Sequence, residues 1–551
     1  MTSHFRSPIF ELGDIYTTEA EKLSPIGLTY LGKNDLDDQL DDFSFQASVK
    51  KLEHIRSGLE RLSKLEPIDE IDRIARDVMQ ERLSTQLLLA EAYDPQNRWA
   101  VLFSPGTSIR QVFEVMKYET PKQIANITAR MNAVDGALKS WISCISDLAK
   151  MGKVNTVRQT QTVAKQLATF SEGAFTGLAK RFDAAGKYPE LHAAGIAADK
   201  AAGETSQWLI NHYLPMATEA DGVGEERYAR WVRFYTGAKL DLRATYEWGL
   251  ADLAQINERM WKVAERIKPG AKTLREVADY LEADPKYAVH GADEMLRRLR
   301  KFTDDAVEAM DGIHFDIDER IRFCDVKLAP LGSAAAPYYQ RPSEDFSRPG
   351  TTWFPTLGKN EFTWWKMPTI WYHEAVPGHH LQIASTVVER ERISRFQRLE
   401  GWVSGLSEGW ALYAERFVDE LGVYTDPGEE MGMLSAQAMR AARVVVDIGM
   451  HLGYKDPEGN VWNAESAVQL MINKALLDED FARSEVDRYL GVPAQAISYK
   501  VGEKFWLDAR AEAKQRLGDK FSLKKFHAYA FRQGPMGLDP FKAEIAKWDG
   551  N

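Results

Sequence analysis

Cysteine is almost missing: Cys144 and Cys324 are the only two in 551 residues. Two distant thiols fit a reducing compartment and small core residues, and they exclude a disulfide framework. They also leave too few ligands for a thiolate zinc site or an iron–sulfur cluster, so any metal must use histidine and carboxylate. A basic excess is missing too. Lys and Arg number 70 against 81 Asp and Glu, a net charge of −11, which argues against general affinity for nucleic acid. No run of about 18 apolar residues occurs, which excludes a spanning helix. The opening "MTSHFRSPIFELGD" has no basic region leading into an apolar stretch, so no secretory signal is read and a cytoplasmic location is expected. What remains is ordinary for a soluble globular protein: 44% apolar, 27% charged and 11% aromatic residues.

The first 310 residues read as helix after helix. "FQASVKKLEHIRSGLERLSKLE" and "TPKQIANITARMNAVDGALKSWISCISDLAKM" place apolar residues at helical spacing, with charges between. Thr120 is a candidate N-cap with Pro121 at the first helical position. After about residue 312 the texture changes. "IHFDIDERIRFCDVKL", "PYYQRP" and "TTWFPT" alternate, or are short and aromatic between Pro and Gly, and predict a few strands. Helical pattern returns from about Thr369. The expected fold is mainly α, with a small β-sheet just before "YHEAVPGHHLQ". No Gly/Ser linker divides it, so an N-terminal helical lobe (1–311) and a C-terminal lobe (312–551) are expected as parts of one unit.

"YHEAVPGHHLQ" sets three of the chain's eleven histidines beside Glu374. Two histidines four apart on a helix present their nitrogens to one ion, with an intervening glutamate placed to take a proton from water. The spacings from His373 are six and seven instead. On a regular helix His379 stands about 9 Å along the axis and about 120° around it, and His380 about 10.5 Å along. Neither shares an ion unless the helix is disturbed. Pro377 and Gly378 supply the means: a kink or wide turn there absorbs the extra residues, and the spacing leaves His379 and His380 both open as second ligand. Glu408, in the apolar run "SGLSEGWALYAERF", is the candidate third ligand, because a carboxylate in such surroundings wants a cation. Two His and one Glu, with Glu374 separate as base, make a complete hydrolytic zinc site for one Zn2+. The competing readings are a satisfied or solvated histidine-rich helix in a non-catalytic helical binding protein, and a non-haem iron enzyme built on two His and a carboxylate.

"WYHEAVPGHHLQ", "SEGWALYAE", "RAARVVVDIGMH", "RYLGVPAQAISYKVG" and "FHAYAFRQGPMGLD" together resemble a widespread bacterial family catalogued as a domain of unknown function and grouped with zincin-like metallopeptidases. The likeness covers at least residues 310 to 540. More distantly the chain is similar to the helical gluzincins. That resemblance implies a two-lobed helical zincin-like metallopeptidase with a deep cleft, acting on short peptides or small amides. It implies His373, His379 and Glu408 as ligands and Glu374 as general base. Leu412 stands where many gluzincins carry an acidic residue behind the ligands.

Arg443, Asp447 and His451 fall at four-residue steps on one helix face. They read either as an ion-pair stack or as groups that orient a ligand, with Asp447 the expected partner of a metal-bound imidazole. Tyr499 is the candidate oxyanion donor that the resemblance implies, and Arg488 a candidate clamp for a substrate carboxylate. His380 is expected behind the ligands or against substrate, and His527 in the core. "TTWFPT" is either the strand a zincin would offer at its sheet edge to an extended peptide or a buried aromatic strand. Neither nucleic acid nor membrane is expected as a partner, and the oligomeric state is left open.

Overall fold

Helices start where the punctuation falls. Thr120 accepts from the Gln123 amide and the Gln123 side chain returns to the Thr120 amide, a capping box that opens the helix Pro121–Asn132. Ser44, Asp69 and Thr156 cap helices by the same side-chain acceptance. In the computed structural model, which describes residues 7–330 and 336–551, helices follow one another as far as Met310. Those nearest the site are α1 (Glu225–Thr236), α2 (Leu242–Ile267) and α3 (Ala292–Met310).

Five short strands follow or interrupt them: β1 (Ala288–His290), β2 (Cys324–Leu328), β3 (Tyr338–Gln340), β4 (Gly350–Phe354) and β5 (Glu361–Thr363). β1 lies within a stretch whose sequence reads as helical throughout. Its strand character comes from antiparallel pairing with β5, a distant partner that local pattern does not show. The other three strands form a sheet in the order β2-β4-β3, with β2 parallel and β3 antiparallel to β4. This decides between the two readings of "TTWFPT" in favour of the buried strand. β4 is hydrogen-bonded on both sides, and Thr351 and Thr352 are buried, so it has no free row of amides for a peptide. In "IHFDIDERIRFCDVKL" only the stretch from Cys324 is a strand; Glu319–Ile321 is a single 3-10 turn.

Of the helices that follow, six frame the site: α4 (Met367–Glu374), α5 (His379–Val388), α6 (Ser404–Glu420), α7 (Pro427–Leu452), α8 (Glu479–Gly491) and α9 (Ser498–Leu517). The main apolar core takes residues from both sides of position 311: Tyr228, Trp231 and Met260 pack with Trp410, Val445 and Trp506. A second cluster, including Trp99, Phe113 and Trp141, belongs to the N-terminal helices. A small third one, including Val289, Leu299, Val326, Phe354 and Trp371, seats α4 on α3 and the strands. Helices α6 and α9 touch backbone to backbone. A Cβ on Gly502 would lie 1.9 Å from the Gly405 carbonyl oxygen, and one on Gly409 would lie 2.4 Å from the Gly502 backbone. Only glycine permits that approach. Among the described residues no helix is long and apolar enough to cross a membrane.

Candidate metal centre

The helical pattern breaks after Glu374. α4 ends there and α5 begins at His379, with Ala375 at φ −98°, ψ −117° and a cis Val376–Pro377 peptide between. The kink expected at Pro377–Gly378 is therefore a complete interruption. A Cβ on Gly378 would stand 1.9 Å from the His373 carbonyl oxygen, so the turn is too tight for any other residue. The Trp410 indole on α6 donates to the Pro377 and Gly378 carbonyls at 2.9 and 3.1 Å, pinning the break to α6; the Gly378 carbonyl also accepts from the Gln382 amide.

This turn folds His379 back onto His373. Their ring centres lie 4.8 Å apart at 87°. Glu408 on α6 completes the group: its Oε2 is 3.2 Å from His373 Nε2 and 3.3 Å from His379 Nε2. The three ligand atoms all lie within 4.8 Å of one another. Zinc bonds of about 2.0–2.1 Å in a tetrahedron put neighbouring ligand atoms roughly 3.3 Å apart, so two nitrogens and an oxygen at these separations fit one borderline divalent ion. Burial raises the carboxylate pKa, yet the His379 and His373 imidazoles outweigh it and hold Glu408 far below the usual range. Burial likewise works against charge on His373, but hydrogen bonds to Glu408 and Glu415 raise its pKa to about 9.

Glu415 is the residue that sequence reasoning missed. Its Oε1 accepts from His373 Nδ1 at 2.8 Å and its Oε2 from the Thr369 hydroxyl at 2.5 Å, while the Arg440 guanidinium stands 3.6 Å away. With the proton fixed on Nδ1, the Nε2 lone pair is available to an ion that Glu408 would share, whereas a protonated Nε2 donates to Glu408 at 3.2 Å. Glu415 lies two helical turns beyond Glu408, on the same face of α6, and that i+7 relation was the available signal. The acidic position expected four residues on is Leu412, which is buried in the core.

The remaining candidates divide. Glu374 is buried beside the ligands and has no hydrogen-bond partner among the described residues; burial raises its pKa, with His379 and His373 opposing. Tyr499 stacks on His373 with ring centres 6.3 Å apart, and the Arg443 guanidinium lies 4.7 Å from the Tyr499 ring centre. His380 is turned away: it hydrogen-bonds the Ile321 carbonyl at 2.8 Å and the Tyr339 hydroxyl at 3.1 Å. Burial lowers its pKa to about 4. It is packed under the sheet and lies outside the cluster, because the sharp turn leaves His379, not His380, facing His373.

Asp447 is not the partner of a ligating imidazole; Glu415 holds that place. Asp447 Oδ2 accepts from Tyr228 Oη at 2.6 Å and the Ala494 amide at 2.9 Å, and His451 stands 3.5 Å from its Oδ1. His451 donates from Nε2 to the Tyr489 carbonyl at 3.1 Å. Arg443 and Arg488 share one carboxylate, Glu485, at 2.7 and 2.9 Å, and Arg488 also donates to Gln495. Arg488 is thus engaged by protein and is not an open clamp. His527 lies in the core, 2.8 Å from Tyr413 Oη.

Fold and site together define a mainly helical protein with a buried His–His–Glu cluster suited to a divalent ion. Residues 25–545 match the family model described as "Bacterial protein of unknown function (DUF885)", and the chain belongs to that family. It is similar over 98% of both chains, at 21% identity and TM-score 0.83, to the crystal structure of "the putative lipoprotein from Colwellia psychrerythraea". It is also similar to "a putative lipoprotein of unknown function from Shewanella oneidensis", at 19% identity and TM-score 0.78, over 98% of this chain and 100% of that one. No curated protein matches it.

Proposed function

We propose that the protein is a zinc-dependent hydrolase of peptide bonds, or of related amide bonds, in short substrates, with His373, His379 and Glu408 holding one Zn2+. The observation that carries this reading is the meeting of three ligand atoms from α4, α5 and α6 within 4.8 Å. Bound there, zinc would supply a Lewis acid that lowers the pKa of water and polarises a carbonyl. Glu374 follows His373 directly and has no competing partner, so its carboxylate is free to take a proton from the attacking water and return it to the leaving amine. Glu415 and Thr369 hold the His373 ring in one tautomer and orientation. Tyr499 offers a phenolic O–H beside the cluster, suited to a developing oxyanion. The resemblance to zincin-like peptidases favours hydrolysis over binding alone. The two similar structures named above are each described as a "putative lipoprotein", and on that likeness we place the protein outside the cytoplasm rather than in it; cell fractionation tests this.

The test is digestion of a peptide library read by mass spectrometry, with and without chelator. Wild type should cleave, chelator should stop it, and Glu374→Gln should lose about 10²–10⁴-fold in rate while keeping its metal. Unchanged hydrolysis by that variant, or no cleavage by wild type, would refute the proposal. Iron in the protein as purified, with O₂-dependent turnover, would move the site to the non-haem iron class.

A further inference from the structure

Beside the metal centre, along α5, lies a cavity of about 360 Å³ whose lining includes Ser407, 3.5 Å from His379 Nδ1, within the range of small-molecule sites. Its walls are largely apolar, and Leu31 and Trp402 at its mouth are 42% and 51% exposed. Its charge runs against that of the whole molecule. Arg341, Arg390 and Arg398 line it against one carboxylate, Glu344, in a chain of net charge −11. The rim pairs are incomplete. Arg398 Nε is 3.6 Å from Glu344 Oε1 and is a buried donor without a hydrogen bond. Arg390 reaches only the Glu344 carbonyl. Arg341, half-buried just after β3, has no hydrogen bond or ion pair among the described residues. Gln382 adds a buried, unbonded acceptor, its Oε1. Unmet donors and charge in an apolar cavity are costly unless a ligand meets them.

We propose that this cavity is a binding site for an organic carboxylate with a large apolar body. The carboxylate would sit against Arg341 and the Nε of Arg398, which lacks a hydrogen bond although Nη1 donates to the Arg390 and Ile393 carbonyls, and the apolar body would lie against Ile383, Leu406 and Phe531, all in the lining. Gln382 Oε1 is placed to accept an N–H, which suits the amide of a peptide's C-terminal apolar residue, though a simple acyl chain shares the same main chemistry. The site stands on its own geometry and does not require the hydrolase reading.

Isothermal titration of the metal-loaded protein tests it directly, using N-acetylphenylalanine and its primary amide, and decanoate and decanol. Each acid should bind at least about ten-fold more tightly than its neutral counterpart, the size expected of a charge-assisted hydrogen bond. Arg341→Gln should erase that preference, and Ile383→Trp should fill the cavity and block both acids, with zinc content and melting temperature kept. Tighter binding of the acetylated amino acid assigns the occupant as a peptide end, and tighter binding of decanoate assigns an acyl chain. Equal binding of acids and neutral analogues by wild type, or undiminished binding by Ile383→Trp, would overturn the proposal. Because the readout is binding without turnover, its failure is separate from failure of the hydrolase reading.

Discussion

Glu415 shows how much one carboxylate out of reach of an ion can decide. It is fully buried, and its hydrogen bond to His373 Nδ1 is 2.8 Å. Burial alone would raise its pKa, but Arg440 and His373 overcome that and keep it lowered. The ring it fixes can therefore present only Nε2. Glu415→Gln can still occupy the space, but its carbonyl is a weaker acceptor and carries no charge. Zinc affinity should fall about 10–100-fold, read by competition with a chelator of known affinity, and an unchanged affinity would reject this role. Residue type and local spacing drew attention to His373, Glu374 and the pair His379 and His380, the apolar run around Glu408 pointed to that carboxylate, and only the family resemblance favoured His379 over His380. The sequence did not reveal Glu415, since a glutamate seven residues on looks like any charge on a helix face. Nor did it reveal that Arg443 and Arg488 share Glu485, since that pairing joins two helices.

Helices and strands set the distances between these side chains. His373 lies in the last turn of α4, His379 begins α5, and the turn between them is closed by Trp410 from α6. α6 in turn lies against α9 through Gly405, Gly409 and Gly502. Gly502→Ala would force a methyl group into the Gly405 carbonyl and push Glu408 and Tyr499 apart. Overpacking of this kind costs about 1–3 kcal/mol. A lower melting temperature is expected together with weaker zinc binding; a variant that melts earlier but binds zinc normally would show that the helix contact does not set the ligand geometry. The break at Pro377–Gly378 was legible, because proline and glycine act through their own covalent structure. The interior place of β4 and the existence of β1 were not, because both depend on partners far along the chain.

Across the molecule, Asp447 and His451 tie α7 to the N-terminal half, through Tyr228 on α1, and to the turn before α9 at Ala494. Burial raises the Asp447 pKa to about 7, against 3.8 unperturbed. The folded protein then holds a proton that the unfolded chain releases, so this contribution is full below about pH 3.8 and fades as pH climbs through 7. Burial lowers the His451 pKa to about 4, against 6.5 unperturbed. That contribution is full above about pH 6.5 and is lost as pH falls through 4. Between those limits the two slopes oppose each other. Urea midpoints should therefore rise with pH from 4 to 6.5 in Asp447→Asn and fall with pH from 4 to 7 in His451→Gln. Parallel slopes in the two variants would refute the assignment.

α5 carries His379 at its first residue, and Gln382 and Ile383, which line the cavity, one turn further on. These three residues share one face of the helix, so a shift of α5 that suits one ligand is felt by the other. Whatever factor an occupant imposes on the grip for zinc, zinc must impose on the occupant in return. Saturation of either partner would then be sensed through a displacement of a fraction of one helical turn.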